Sequence, residues 1–178
     1  MEAQTARQIG MLRERLTQLQ KIQDLARAQE LLGQVILIGT YSKRRNNLIF
    51  VGVQRGAISA QELGLCLNES VENLNLYGVD SKALVMGEGP LAIDQAVQTY
   101  DLFEAAVELG LETMTALLFS VRVSDRVEVH LCAAGDAPLD RLGEQFRDVQ
   151  WERDEDGLQY VTWISVSYTH LRAHETEA

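Results

Sequence analysis

Ile93–Gly135, IDQAVQTYDLFEAAVELGLETMTALLFSVRVSDRVEVHLCAAG, is the stretch that decides the fold. Its first part predicts a long amphipathic helix, because large apolar residues recur at helical spacing and form one stripe. The members of this stripe are Ile93, Val97, Tyr100, Phe103, Val107 and Leu111. The second part predicts a hairpin, with strands at 116–123 and 127–132 joined by Ser124-Asp125-Arg126. Glu104 lies inside the apolar stripe, where a carboxylate is costly to bury without a partner.

The neighbouring segments extend this pattern into an α+β domain. Ser59-Ala60-Gln61-Glu62 is a capping box, and the helix that it starts is expected to run to about Leu76. The remaining expected elements are a strand at 82–86, a short helix at 138–146, and a second hairpin with strands at 149–153 and 158–164. This order predicts a two-layer α/β sandwich, with helices on one face of a mainly antiparallel sheet.

The chain before this domain is expected to be a helical arm. Residues 2–32 have a helical pattern, and a narrow apolar seam suits a coiled coil or a helical hairpin. The seam consists of Ile9, Leu12, Leu16, Leu19 and Ile22. It indicates a dimerisation helix, or an amphipathic helix packed on its own domain. A second helix is expected at 41–50, and the two glycines within 52–58 are expected to end it. The predicted division is therefore an arm at 1–58 and a domain at 59–165.

Composition and charge exclude several classes of protein. The 178 residues are 46% hydrophobic and 24% charged, as expected for one or two small globular units. The formal net charge of −10 is unevenly distributed: basic side chains predominate in residues 1–58 and acidic ones in the rest. The acidic part argues against nucleic-acid binding, because its field repels phosphate. No apolar run is long enough to span a bilayer, and the sequence indicates a cytoplasmic protein in which Cys66 and Cys132 are reduced thiols.

Residues 166–178 are expected to be a non-native tail. The string Val166-Ser167-Tyr168-Thr169-His170-Leu171-Arg172-Ala173-His174-Glu175-Thr176 resembles the translated read-through of a sequencing adapter. A segment of this kind has to be kept out of reasoning about the fold. His170 and His174 would otherwise suggest a metal site, because histidines four residues apart share a helix face. No metal site is predicted.

Two further features leave alternatives open. Lys43-Arg44-Arg45 could grip a phosphate or an acidic partner, or could be a solvated helix face. The cluster could also balance the acidic second part of the chain. A phosphoacceptor histidine would have to lie on an exposed helix, and His130 is on a predicted strand. His130 is therefore expected to be a sheet-packed or surface histidine.

From about Ile38 to Ile164 the chain resembles the C-terminal part of divergent sensor histidine kinases of Firmicutes. The resemblance is carried by four segments: Gly39–Leu48 (GTYSKRRNNL), Glu62–Leu74 (ELGLCLNESVENL), Tyr100–Glu104 (YDLFE) and Asp154–Gly157 (DEDG). It implies a histidine-kinase ATPase-like fold in a two-component signalling protein. The same resemblance implies that an upstream sensor or membrane region belongs to the parent protein.

The resemblance also implies a site for Mg-ATP. Glu104 matches the catalytic Glu of the family's long helix, and Glu108 stands where that helix carries an Asn that ligates Mg²⁺. Gly135 is the part retained from the first glycine box, whose Asp is replaced by Ala133. The second glycine box has no counterpart before Ile164. Mg-ATP is therefore a possible cofactor of a degenerate pocket with Glu104 as catalytic residue and with Glu108 and Gly135 as binding residues.

Two functions follow from the resemblance. In the first, the chain is a fragment of a kinase whose full-length parent transfers phosphate from ATP to a histidine. In the second, the chain is a non-catalytic module of the same fold that dimerises and docks a response regulator without binding nucleotide. Homodimerisation and a response-regulator partner are implied in both. Glu104 has a structural alternative as well, because it could pair with a buried Arg or Tyr or reach water at the edge of the stripe.

Overall fold

A computed structural model of the chain describes residues 2–165. The predicted tail at 166–178, with its adapter-like string and with His170 and His174, lies outside the described residues. In chain order the helices and strands are α1 (Glu2–Leu19), α2 (Leu25–Arg55), β1 (Ile58–Ser59), α3 (Ala60–Tyr77), β2 (Asp80–Met86), β3 (Pro90–Leu91), α4 (Ile93–Gly110), β4 (Met114–Val123), β5 (Val127–Gly135), β6 (Gln150–Arg153) and β7 (Gln159–Ser165). A 3-10 helix, Leu139–Glu144, lies between β5 and β6.

The sheet confirms the α+β prediction. Its five strands lie in the order β2-β4-β5-β7-β6, and every neighbouring pair is antiparallel except β2 with β4. One face packs against the helices, as the alternation in β4 predicts: Leu117, Phe119 and Val121 are buried there. The other face is open, and Leu118 and His130 are exposed on it. His130 is therefore a surface residue, one of the two outcomes that its position on a strand allowed.

The helical arm is a hairpin, one of the two arrangements that its apolar seam allowed, but the break lies at residues 20–24 and not between 32 and 41. α1 ends at Leu19, and α2 begins at Leu25 and packs against α1. The break has a local cause, because the Asp24 side chain accepts a hydrogen bond from the Ala26 N–H at 3.1 Å and caps α2. The seam of α1 is only partly covered by this packing, since Ile9 and Leu16 are each 45% exposed.

α2 is also longer than predicted, because Gly52 does not end it. A Cβ on Gly52 would lie 2.6 Å from the Ile93 side chain, so the glycine lets α2 approach the start of α4 closely. The helix ends at Gly56, which has a left-handed φ of 79° and donates its N–H to the Gly52 carbonyl. Tyr41 and Leu48 of this helix are buried in the same hydrophobic core as α3, α4 and the sheet.

The two-residue strands β1 and β3, which pair antiparallel in a small second sheet, were not predicted, and the other elements lie close to their expected positions. The capping box at the start of α3 is formed in both directions, between the Ser59 and Glu62 side chains and each other's backbone N–H groups. Both cysteines are free, Cys66 buried and Cys132 half-buried. Within residues 2–165, none of the helices combines the length and the apolar character that crossing a bilayer requires.

Candidate functional site

α4 carries three acidic residues on the side that faces the arm. Asp101, Glu104 and Glu108 are spaced by three and four residues, which places them along one helix face. The helix is held by the buried apolar stripe, in which Tyr100 and Phe103 pack between α2 and the sheet. The three carboxylates meet different surroundings, and these surroundings decide what each can do.

Glu104 is a buried acid without a partner. It is 4% exposed, and among residues 3–165 no hydrogen bond contributes to the pKa of its side chain. Burial raises the pKa of Glu104 well above its ordinary value, and Glu108 and Asp101 raise it further while Arg7 opposes them. The suggested pairing with a buried Arg or Tyr is not made. Arg45 binds Asp101 instead, and the Tyr100 hydroxyl lies 2.7 Å from the Ser70 hydroxyl.

Glu108 is bound by the arm. Arg7 of α1 donates to its Oε2 at 2.5 Å, and Gln8 donates to its Oε1 at 2.8 Å. Gln8 is itself buried, at 1% exposure. Both oxygens that would have to ligate Mg²⁺ are therefore engaged by side chains from a segment about a hundred residues away in the sequence.

Asp101 joins the arm to the domain through a compact polar network. Arg45 of α2 donates to the two carboxylate oxygens at 2.7 and 3.0 Å, and the Tyr41 hydroxyl donates to Oδ1 at 2.6 Å. Gln4 of α1 donates in turn to the Tyr41 hydroxyl at 3.2 Å. Arg45 is 4% exposed, so this is a buried ion pair with satisfied geometry on the Asp101 side.

The basic side chains at 43–45 form ion pairs within the molecule. Lys43 and Arg44 both form ion pairs with Glu69 of α3, and Arg45 forms its pair with Asp101. This arrangement is neither a phosphate site nor a wholly solvated face; it agrees with the further expectation that the cluster balances acidic residues of the second part of the chain. The cluster fastens α2 to α3 and α4.

Glu104 and Glu108 line one cavity of about 240 Å³ between α1, α2, α4 and the turn after β5. Its other lining side chains include Arg15, Gln34, Glu112, Asp136 and the apolar Met11, Leu37, Ile38, Val107, Leu111 and Pro138. The volume is below the roughly 300–1,000 Å³ of pockets that take drug-sized ligands. A wider groove of about 890 Å³ lies nearby on the surface, where Leu32, Ile36 and Leu76 are exposed.

Gly135 lies next to this cavity but does not line it. Its φ is 109°, and a Cβ there would lie 2.2 Å from the Thr113 carbonyl oxygen. The glycine is thus required where β5 passes the start of β4 at a register shift. Its own carbonyl oxygen accepts from the Gln159 side chain at 2.9 Å. Asp136, the next residue, is the one that reaches the cavity.

The contribution of α1 to this cavity was not predicted. Gln4, Gln8, Met11 and Arg15 are spaced by four, three and four residues and form one helix face toward the domain. This face lies beside the apolar seam and is mostly polar, so an analysis based on hydrophobicity overlooks it. The helical spacing of long polar side chains was the signal available in the sequence.

No protein-family model and no curated protein matches the chain. Among solved structures it is similar to the histidine kinase domain of the blue-light activated histidine kinase of Erythrobacter litoralis, with 8% identity, 86% of this chain and 94% of that chain covered, and a TM-score of 0.49. It is similar to a bacterial phosphotransferase, with 12% identity, 89% of each chain covered and a TM-score of 0.46.

A third likeness is to the histidine kinase ThkA in complex with the response regulator protein TrrA. It has 10% identity, covers 90% of this chain and 58% of that chain, and has a TM-score of 0.34. Identities this low, together with scores below 0.5, leave the function to be argued from the chain's own residues.

Proposed function

We propose that this chain is a non-catalytic module of a two-component signalling protein, in which a histidine-kinase-type ATPase frame is kept but does not bind nucleotide. The sequence resemblance to sensor histidine kinases supports the class of protein. The observation that carries the loss of nucleotide binding is the engagement of Glu108 by Arg7 and Gln8, at 2.5 and 2.8 Å. A Mg²⁺ ion at this position would have to displace both donors.

The charge and size of the cavity support the same conclusion. Its lining contains the four acidic residues Glu104, Glu108, Glu112 and Asp136 and the single basic residue Arg15. Glu108 and Asp136 are paired with Arg7 and Arg153, so Arg15 is the basic side chain of the lining left to attract a triphosphate, and Glu112 would repel it. A cavity of about 240 Å³ is also small for a nucleotide with its metal ion.

A catalytic fragment is the second candidate, and one observation favours it. Glu104 and Glu108 line the same cavity, with Asp136 directly after Gly135 at its edge. The resemblance assigns Glu104, Glu108 and Gly135 to the nucleotide site, and Asp136 is the neighbour of Gly135. In this case the full-length parent would transfer phosphate from ATP to a histidine, and the arm would have to withdraw before Mg-ATP binds.

The experiment that separates the two candidates is a thermal-shift titration with Mg-ATP. Ligands that bind the native state raise its melting temperature. The proposal predicts no rise for the wild-type chain at millimolar Mg-ATP, and none for Arg7→Ala/Gln8→Ala, because the acidic cavity remains. Arg13→Ala, at an exposed position of α1, is the matched control. A rise in the double variant alone would support the catalytic fragment closed by its arm, and a rise in the wild type would refute the proposal.

The module would act through its partners. Homodimerisation and docking of a response regulator are the roles that remain when nucleotide chemistry is removed. The arm supports the first of these, since several large apolar residues of α2 are exposed: Leu25, Leu32, Ile36, Phe50 and Val53.

A further inference from the structure

Two buried polar side chains from different helices line the cavity. Glu104 of α4 and Gln34 of α2 both line it, and each is only 4% exposed. Within residues 3–165, Gln34 Oε1 is a buried atom without a hydrogen-bond partner, and the raised pKa of Glu104 comes from burial and neighbouring charges without a hydrogen bond. The Nε2 group of Gln34 donates to the Tyr77 hydroxyl at 3.4 Å, which leaves its oxygen turned away from that contact.

Buried polar groups of native proteins almost always have a partner, since leaving one unsatisfied is costly. An acceptor pair on two different helices is therefore a feature that requires an explanation. Simple helix packing does not supply one, because Leu or Met at either position would fill the same space without a polar penalty. A ligand with several donors that occupies the cavity would supply the missing partners, because both residues line it.

The electrostatics of the cavity favour a positively charged donor. Glu112 and Asp136 are exposed at its edge, and Glu108 lies beside Glu104. The one basic side chain in the lining, Arg15, donates to Gln18 on its own helix at 3.1 Å. Arg7 is paired with Glu108. Of the four carboxyl groups in the lining, Glu108 and Asp136 are paired with Arg7 and Arg153, and Glu104 and Glu112 remain to attract a cation.

The rest of the lining sets the size and the polarity of the ligand. Apolar side chains from all sides form the walls: Met11, Leu37, Ile38, Val107, Leu111 and Pro138. The volume of about 240 Å³ equals that of roughly eight waters in the liquid. A ligand of this volume would combine a polar head with a short hydrocarbon stem.

We propose that this cavity is a binding site for a small organic cation with several N–H donors, an alkylguanidinium, whose head donates to Glu104 and Gln34 and whose stem contacts the apolar walls. A planar guanidinium presents donors in several directions and can serve two acceptors at once. The proposal does not depend on the signalling role, because it concerns a ligand other than nucleotide.

Binding would be coupled to the release of a proton. Burial holds the pKa of Glu104 well above its ordinary value, whereas a bound cation favours the ionised carboxylate. Affinity should therefore increase as the pH rises toward the pKa of the free protein. The charged groups around Glu104 are Arg7 and Arg15 from α1, Arg45 from α2 in its pair with Asp101, Glu108 from α4, and Glu112 and Asp136 from the segments that follow.

The test is calorimetric titration of n-butylguanidinium chloride into the full chain, with n-butylurea as the neutral analogue of the same shape. We expect saturable binding of the cation, and binding of the urea weaker by about tenfold or more, because a bond to a charged group is lost. Glu104→Gln should weaken binding of the cation by a similar factor. Glu72→Gln, which makes the same charge change at an exposed position of α3, should bind as the wild type does.

Three results would overturn the proposal: no saturable heat with the cation, equal affinity for the cation and the urea, or unchanged affinity in Glu104→Gln. Gln34→Leu gives a second, independent check, because it removes the other acceptor and keeps the side chain's approximate size. It should also weaken binding of the cation, and unchanged affinity in this variant would contradict the assigned geometry. Circular dichroism establishes that each variant is folded before it is titrated.

Discussion

The surroundings of Glu104 determine both the charge of its side chain and the free energy that its burial costs. Because its folded-state pKa is raised above the unfolded value, the folded chain binds this proton more tightly than the unfolded chain. The free energy of unfolding should therefore fall as the pH rises from the unfolded pKa toward the folded one. Below that window Glu104 is protonated in both states and contributes no such dependence.

Glu104→Gln should remove this pH dependence. We expect the variant to be more stable than the wild type at neutral pH by about 1–3 kcal/mol, because folding of the wild type there takes up a proton at Glu104 and one unit of pKa difference corresponds to about 1.4 kcal/mol. Urea denaturation followed by circular dichroism at pH 5, 6, 7 and 8 measures the free energy of unfolding of the variant and of the wild type. The difference between variant and wild type should grow with pH, and a constant difference would contradict the raised pKa. Glu72→Gln serves as the matched control.

Among the residues of the arm, Arg45 should be the one whose substitution lowers the free energy of unfolding most. It is buried and donates to both oxygens of Asp101, so Arg45→Ala leaves a partly buried carboxylate without its counter-charge. We expect a loss of about 3–5 kcal/mol in the free energy of unfolding. The double variant Arg45→Met/Asp101→Leu should recover much of it, because no unpaired charge remains.

Lys43→Ala is the control for this prediction, since Lys43 is in the same basic cluster but its side chain is 66% exposed. Exposed ion pairs contribute about 0–1 kcal/mol. Equal losses for Lys43→Ala and Arg45→Ala in urea denaturation would refute the assignment of a buried pair that fastens the arm.

Among the elements, β5 ends at a glycine that the resemblance assigned to nucleotide binding. The structure supplies a different reason for it, in the close approach of β5 to Thr113 and in the left-handed backbone. Gly135→Ala should destabilise the protein by at least about 1–3 kcal/mol, the range for strained backbone positions. Gly143→Ala, where an added Cβ meets nothing within 4 Å, should have a much smaller effect. Similar melting temperatures for the two variants would contradict this explanation.

The elements differ in how well the sequence predicted them. α3, α4 and the strands were predictable because a capping box, an apolar stripe and alternating strands are local signals. The break between α1 and α2 was missed because a single cap at Asp24 outweighs a continuous helical pattern. The continuation of α2 through Gly52 was missed because its reason, contact with Ile93, is tertiary.

The same distinction applies to the site. Glu104 and Glu108 were expected to lie together, since residues four apart share a helix face. The donors that engage Glu108 come from α1, about a hundred residues away, and no local pattern links Arg7 to it. Gln34 was missed for the same reason, because its burial depends on how α2 packs over α4.

At the scale of the whole molecule, the exposed face of α2 predicts self-association. Leu25, Leu32, Ile36 and Phe50 lie along one side of this helix, at spacings close to whole turns. We expect a dimer in light scattering coupled to size exclusion. Ile36→Asp/Phe50→Asp should convert it to monomer, because two charges would be buried in the contact.

Leu118→Asp is the control for the dimer, since Leu118 is 41% exposed on the open face of the sheet, opposite the helices. It should leave the dimer intact. A wild-type monomer at micromolar concentration, or a dimer that survives the double substitution, would refute the assignment of α2 as the contact.

We propose above that the ATPase-type frame of this chain does not bind nucleotide. Isothermal titration of Mg-ATP into the folded full chain tests this most directly, with Glu104→Gln as the companion variant. The account predicts no saturable heat at millimolar nucleotide for either protein, because Arg7 and Gln8 occupy Glu108 and the cavity is small and acidic. Saturable binding by the wild type, weakened in Glu104→Gln, would contradict it and restore the kinase interpretation.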